Sequence, residues 1–222
     1  MRKSLKYSIC ALLLFVLINI CIYLSLNYVE VEKSDKYSSR LDLNVYYETH
    51  CPDSIRFIRN ILAPSFHQIN PFVRIILNPY GKTRTTTVDG RLEFSCQHGE
   101  AECYGGILQT CAIHLLPYED SLAFVFCMEK DIANRHSWRK CLPKRIRKDY
   151  DTLLNCTKHR GREWFNDFGK LNPVELNWVP WIVVGGKHDE RIQEQCTTNI
   201  QGLTSTLCEF ASMNPKPDIC TA

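Results

Sequence analysis

Val45-Tyr46-Tyr47-Glu48-Thr49-His50-Cys51-Pro52-Asp53-Ser54 reads as a strand that runs directly into the first turn of a helix. Leu41, Leu43, Val45 and Tyr47 alternate with their neighbours, which predicts a strand over 41–47 with one buried face. From Ser54 to Ile69, Ile55, Phe57, Ile58, Ile61, Leu62 and Phe66 recur at helical spacing, and Pro64 is expected to kink or end that helix. Phe72-Val73-Arg74-Ile75-Ile76-Leu77 predicts a second strand, closed by the turn sequence Asn78-Pro79-Tyr80-Gly81. The order strand, helix, strand is a βαβ unit with Cys51 at its first junction. Unpaired backbone N–H groups at a helix start stabilise a thiolate, so the implied chemistry is thiol–disulfide exchange. His50 adds positive charge there when protonated, whereas the Asp53 carboxylate opposes it.

Further along, Thr85 to Phe94 brackets Val88-Asp89-Gly90-Arg91, whose Asp-Gly pair predicts a hairpin turn. The stretch from Cys103 to about Cys156 is helical in pattern and rich in cysteine. Two-residue periodicity returns at Trp178-Val179-Pro180-Trp181-Ile182-Val183-Val184, before the turn Gly185-Gly186-Lys187, and a last helix is predicted over Thr198–Ala211. The residues around Pro180 predict an ordinary trans bond at the head of an edge strand. Trp178 and Trp181 flank Pro180 as strand aromatics, which pack into a core more often than they line a peptide groove.

The chain of 222 residues is 45% hydrophobic and 23% charged, enough for one globular domain or one domain carrying an insertion. Net charge is +3, and the short basic runs Arg139-Lys140 and Lys144-Arg145-Arg147-Lys148 read as a solvated helix face, so no nucleic-acid partner is expected. Arg2, Lys3 and Lys6 precede an apolar run from Ile9 to Leu26, with Glu30, Glu32 and Asp35 beyond it. This pattern predicts a hydrophobic helix that carries the following body into the secretory lumen. Residues 1–28 serve either as a cleaved signal peptide or, since about 18 apolar residues suffice to span a bilayer, as a single-pass anchor through residues 9–26. Of twelve cysteines, Cys10 and Cys21 lie in that run, and the remaining ten predict a disulfide framework in an oxidising compartment. Setting Cys51 aside leaves an odd number, so a second thiol is free or Cys51 is itself paired. Asn155-Cys156-Thr157 is the one N-x-[ST] sequon and marks Asn155 as a glycosylation candidate.

Three segments together carry a resemblance: the Tyr46–Ser54 region, the signature Cys96-Gln97-His98-Gly99 with Glu102, Cys103 and Cys111, and Val179-Pro180-Trp181 leading to Gly186-Lys187. They resemble the gamma-interferon-inducible lysosomal thiol reductase family across most of residues 40–210. The resemblance implies an α/β, thioredoxin-like fold over 40–211, with a disulfide-rich helical insertion at about 103–160 and a C-terminal tail at 212–222. It implies a cis bond at Val179-Pro180, facing the active cysteine and leaving backbone free for a substrate strand. It also implies reduction of disulfide-bonded protein substrates in a lysosomal or secreted setting, without a cofactor.

Two departures qualify the resemblance. Gly106 stands where the family carries Asn, which points to an altered local turn. More seriously, family reductases use Cys-x-x-Cys, whereas Cys51-Pro52-Asp53 is followed by Ser54. A serine cannot expel a reduced product from a mixed disulfide, so turnover would need a small thiol such as glutathione, or another cysteine. The alternative is a catalytically inactive module that binds or traps clients. Cys96, His98, Cys103 and Cys111 do not match common zinc spacings, so no metal is expected and His98 reads as a structural histidine.

Overall fold

A computed structural model describes residues 40–130, 137–144, 150–212 and 216–221, together with Asn19. The predicted hydrophobic segment 1–28 lies, Asn19 apart, outside the described residues, as do Arg145, Arg147 and Lys148. Among the described residues no helix is long and apolar enough to cross a membrane.

Strand β1 (Leu41–Tyr46) forms the centre of a three-stranded sheet. It pairs in parallel with β2 (Val73–Asn78), Leu43 opposite Ile75, and antiparallel with β5 (Trp181–Val184), Leu43 opposite Val184. Leu43, Val45 and Tyr47 are wholly buried, as the alternation predicts. Arg74 and Asp42 meet in a two-pronged ion pair across the β1–β2 ladder, Nε to Oδ1 at 2.7 Å and Nη2 to Oδ2 at 2.6 Å. The sheet shares one apolar core with the helical run between β1 and β2 and with the last helices.

That helical run begins at Pro52, two residues earlier than the apolar pattern indicates, because proline at a first helical position lacks only an N–H that would be unpaired anyway. It comprises α1 (Pro52–Phe57), a π turn (Ile58–Leu62) and α2 (Ala63–Ile69). Pro64 therefore does not end the helix. The wider π turn, in which Ala63 N–H donates to Ile58 O, relieves the clash of the proline ring with the preceding turn.

Strands β3 (Arg84–Val88) and β4 (Arg91–Ser95) form the predicted hairpin. Asp89 and Gly90 both take positive φ, 49° and 74°, the geometry of the turn that matches strand twist. Helices then occupy α3 (Glu100–Leu115), α4 (Tyr118–Lys130), α5 (Tyr150–Lys158) and α6 (Arg160–Lys170), around a second core that includes Leu108, Phe124, Met128, Trp138 and Leu153. Two disulfides staple this region, Cys111–Cys156 and Cys127–Cys141.

The chain finishes with two helices where one was predicted, α7 (Glu190–Thr198) and α8 (Ile200–Phe210). Extended Asn199 separates them and caps α8 through Oδ1, while Asp189 caps α7. Only Ile192 and Cys196 of α7 are buried, too sparse an apolar pattern to reveal a helix in sequence. Cys208–Cys220 ties the C-terminal residues back to α8.

Candidate active site

Cys51 occupies the N-cap of α1 in extended conformation, with Ile55 N–H donating to its carbonyl at 3.0 Å. Its thiol is 9% exposed and donates to Val179 O at 3.7 Å. The Val179-Pro180 bond is cis, which overturns the trans reading of the residues alone and agrees with the one the resemblance implies. Strand β5 starts immediately after it, at Trp181, with Pro180 at its head as the sequence reading has it. Gln193 of α7 steadies the segment: its Nε2 donates to Pro180 O at 2.9 Å and its Oε1 accepts from Ile182 N at 3.0 Å. Sequence reasoning missed Gln193 because it missed α7. Trp181 is buried and stacks on His188 at 3.6 Å between centroids, whereas Trp178 is 44% exposed, so of the two aromatics only Trp178 can meet a bound chain.

Ser54 lies one turn into α1, wholly buried, and its hydroxyl oxygen accepts from Glu48 N–H at 3.4 Å. Asp53 turns outward and pairs with Arg56 at 2.6 Å, so its charge is partly neutralised.

The signature folds into a brace beneath this loop. Cys96 and Cys103 form a disulfide. Gly99 caps α3 at φ 87° and ψ −174°, backbone that a side chain would strain. Glu102, at the third position of α3, reaches back as in a capping box: Oε1 accepts from His98 N at 3.1 Å and Oε2 from His50 N at 3.2 Å. Thr49 Oγ1 donates to the Glu102 carbonyl at 3.1 Å. The signature glutamate thus holds the two residues that precede Cys51. His98 Nδ1 lies 2.6 Å from Glu102 Oε2, a histidine with a partner as expected. Gln97 is exposed, and Cys111 is committed elsewhere, to Cys156.

Glu48 is the site residue whose role went unread in sequence. Its carboxyl is 1% exposed and is pushed up in pKa chiefly by burial, an effect that the Lys82 N–H bonded to Oε1 reduces and the nearby Glu102 charge increases. A buried glutamate two residues past a strand carries no sequence signal. With His98 and Glu102 it forms the one group among the described residues able to hold a metal ion.

Four disulfides account for eight cysteines, and among the described residues Cys51 and Cys196 remain free, which resolves the odd count. Asn155 is exposed on α5. Gly106 lies inside α3 rather than in a turn; a Cβ there would sit 2.6 Å from the Phe165 ring, so Phe165 fills the space a larger residue would need.

A cysteine at the start of a helix, set against the carbonyl that precedes a cis-proline, belongs to the class of thioredoxin-like thiol–disulfide oxidoreductases. A solved structure of the MdbA protein, a thiol-disulfide oxidoreductase from Actinomyces oris, shares the fold with a TM-score of 0.54 over 78% of this chain and 81% of its own, at 12% identity. Residues 42–145 match the family model for gamma interferon inducible lysosomal thiol reductase (GILT). GILT-like protein 2 of Drosophila melanogaster is 34% identical over 170 residues, covering 75% of this chain and 79% of that protein. The gamma-interferon-inducible lysosomal thiol reductase of Carassius auratus is 28% identical over 188 residues, covering 82% and 73%. The chain belongs to the GILT family.

Proposed function

We propose that the protein reduces disulfides in protein substrates with Cys51 as its single active-site nucleophile and a small thiol such as glutathione completing the cycle. The observation that carries this reading is the Cys51 thiol, 3.7 Å from Val179 O beside a cis-proline, with a buried serine where a resolving cysteine would stand. A substrate strand pairing alongside Val179 would bring its disulfide to Sγ. The Cys51 thiolate attacks one sulfur, a Cys51–substrate disulfide forms, and the other substrate sulfur leaves as a thiolate that takes a proton. A glutathione thiolate then attacks the Cys51 sulfur and releases the second substrate thiol. A second glutathione attacks the resulting Cys51–glutathione disulfide, regenerating Cys51 and leaving oxidised glutathione. Two electrons pass from two glutathiones to one substrate disulfide.

The setting that fits is the secretory lumen. The stapled cysteines, the exposed sequon at Asn155 and the charge pattern around residues 9–26 support it, and the Carassius auratus relative is named as lysosomal. Residues 9–26 would deliver the body there, as a cleaved signal or as an anchor.

The test is reduction of a disulfide-bonded protein with excess glutathione at acidic and neutral pH, beside Cys51→Ala and Ser54→Cys. Multiple turnovers that vanish in Cys51→Ala are expected. Unchanged turnover in Cys51→Ala would sink the assignment. A silent wild type with an active Ser54→Cys, together with Cys51-dependent client complexes on non-reducing gels, would replace it with the client-trapping reading that buried Ser54 favours.

A further inference from the structure

Among the described residues, one cluster of histidine and carboxylate side chains lies where the signature loop meets the residues that follow β1. Glu48, His98 and Glu102 each bring one ligand atom, an imidazole nitrogen or a carboxylate oxygen, within 4.8 Å of the others. His98 Nδ1 is 2.6 Å from Glu102 Oε2 and 3.6 Å from Glu48 Oε2. Both glutamates are buried, at 1% and 3% exposure. The unexplained atom is Glu48 Oε2, which is buried, has no hydrogen-bond partner and faces the imidazole. An unpaired carboxylate oxygen in such surroundings is costly unless something of positive charge approaches it.

The remaining atoms are already oriented. Glu48 Oε1 accepts from Lys82 N at 2.8 Å, and Glu102 accepts from the backbone N–H groups of His98 and His50. Outer contacts of this kind aim metal ligands and hold them ready. Two carboxylates converging in a buried corner repel each other, and a cation between them would remove the repulsion.

We infer that Glu48, His98 and Glu102 form a binding site for one divalent transition-metal cation of the zinc type, with water as the fourth ligand. One imidazole nitrogen with two carboxylate oxygens suits zinc, whereas magnesium and calcium prefer all-oxygen sets. Zinc–ligand bonds of about 2.0–2.1 Å place tetrahedral ligand atoms about 3.3 Å apart. The observed separations of 2.6 and 3.6 Å fall on either side of that value. His98 is 37% exposed, so a small rotation of its ring both admits the ion and completes the geometry. The bound cation would join Glu48, ahead of Cys51 in the same loop, to the signature loop without using a cysteine.

The test is calorimetric titration of the full-length chain carrying Cys51→Ala, which removes the active-site thiol as a competing ligand, with zinc chloride at neutral pH and magnesium chloride in parallel. One zinc per chain, a raised melting temperature and at least 100-fold weaker magnesium binding are expected. Glu48→Gln and His98→Gln should each weaken zinc binding at least tenfold, while His159→Gln, on exposed surface, leaves it unchanged. His98→Gln, at a half-exposed position, keeps the test valid if Glu48→Gln fails to fold. X-ray absorption of the zinc complex should show nitrogen and oxygen ligands at about 2.0–2.1 Å and no sulfur. Absence of saturable zinc binding, binding indifferent to His98→Gln, or sulfur among the ligands would overturn the assignment. Each readout is independent of disulfide reduction.

Discussion

Among the described residues, the two free thiols show how strongly position governs cysteine chemistry. Cys51 sits at a helix start against the Val179 carbonyl, while Cys196 of α7 is wholly buried in the main core. Burial pushes the Cys196 thiol up to about 12, partly offset by a hydrogen bond with Thr206. The folded state therefore keeps a proton that the unfolded chain loses near pH 9. Its contribution to stability is complete below that pH and is lost as pH rises toward about 12, at about 1.4 kcal/mol per pH unit in between. Denaturation of wild type and Cys196→Ala between pH 8 and 10.5 should show the wild type losing its advantage at up to about that slope. A pH-independent difference would mean that Cys196 ionises as easily in the folded protein as out of it. Cys51 could be singled out from its junction between strand and helix, whereas Cys196 became legible only once its partners in the core were known.

At the level of elements, α3 does two jobs. Its first turn braces the Cys51 loop through Glu102, and its middle packs on α6 with Gly106 under Phe165. Phe165 is wholly buried between Tyr80 and Phe94, at 5.0 and 5.1 Å between centroids, so it has little room to move. Replacing a helical glycine by alanine ordinarily gains about 1 kcal/mol. Here the 2.6 Å approach to the ring should outweigh that gain, because overpacking costs about 1–3 kcal/mol. Gly106→Ala is expected to lower stability in urea denaturation, and Phe165→Leu in the same chain should recover part of the loss. Stabilisation by Gly106→Ala alone would show that the ring yields. The space beside Gly106 is thus filled by a residue far along the chain, and no local pattern could have shown it.

For the whole molecule, the sheet with α1, α2, α7 and α8 holds the site, while the stapled helices α3–α6 form a second core beside it. Cys111–Cys156 closes a separation of 45 residues and Cys127–Cys141 one of 14, so chain entropy assigns about 4 kcal/mol to the first and about 3 to the second. Removing each pair as alanines should destabilise the protein in that order, read by chemical denaturation; the reverse order would place the stabilisation in local packing instead. The βαβ unit, the hairpin, the Cys51 junction and the signature were legible in sequence because strand alternation, helical spacing and turn residues act over a few neighbours. Length and charge pattern likewise bounded the class of protein. The unbroken helix through Pro64, the presence of α7 and the pairing of the cysteines depended on what each segment packs against. The same holds for Glu48 buried beside Glu102 and His98: a carboxylate reads as exposed from its type alone, and only the fold, by closing the signature loop over β1, takes it out of water.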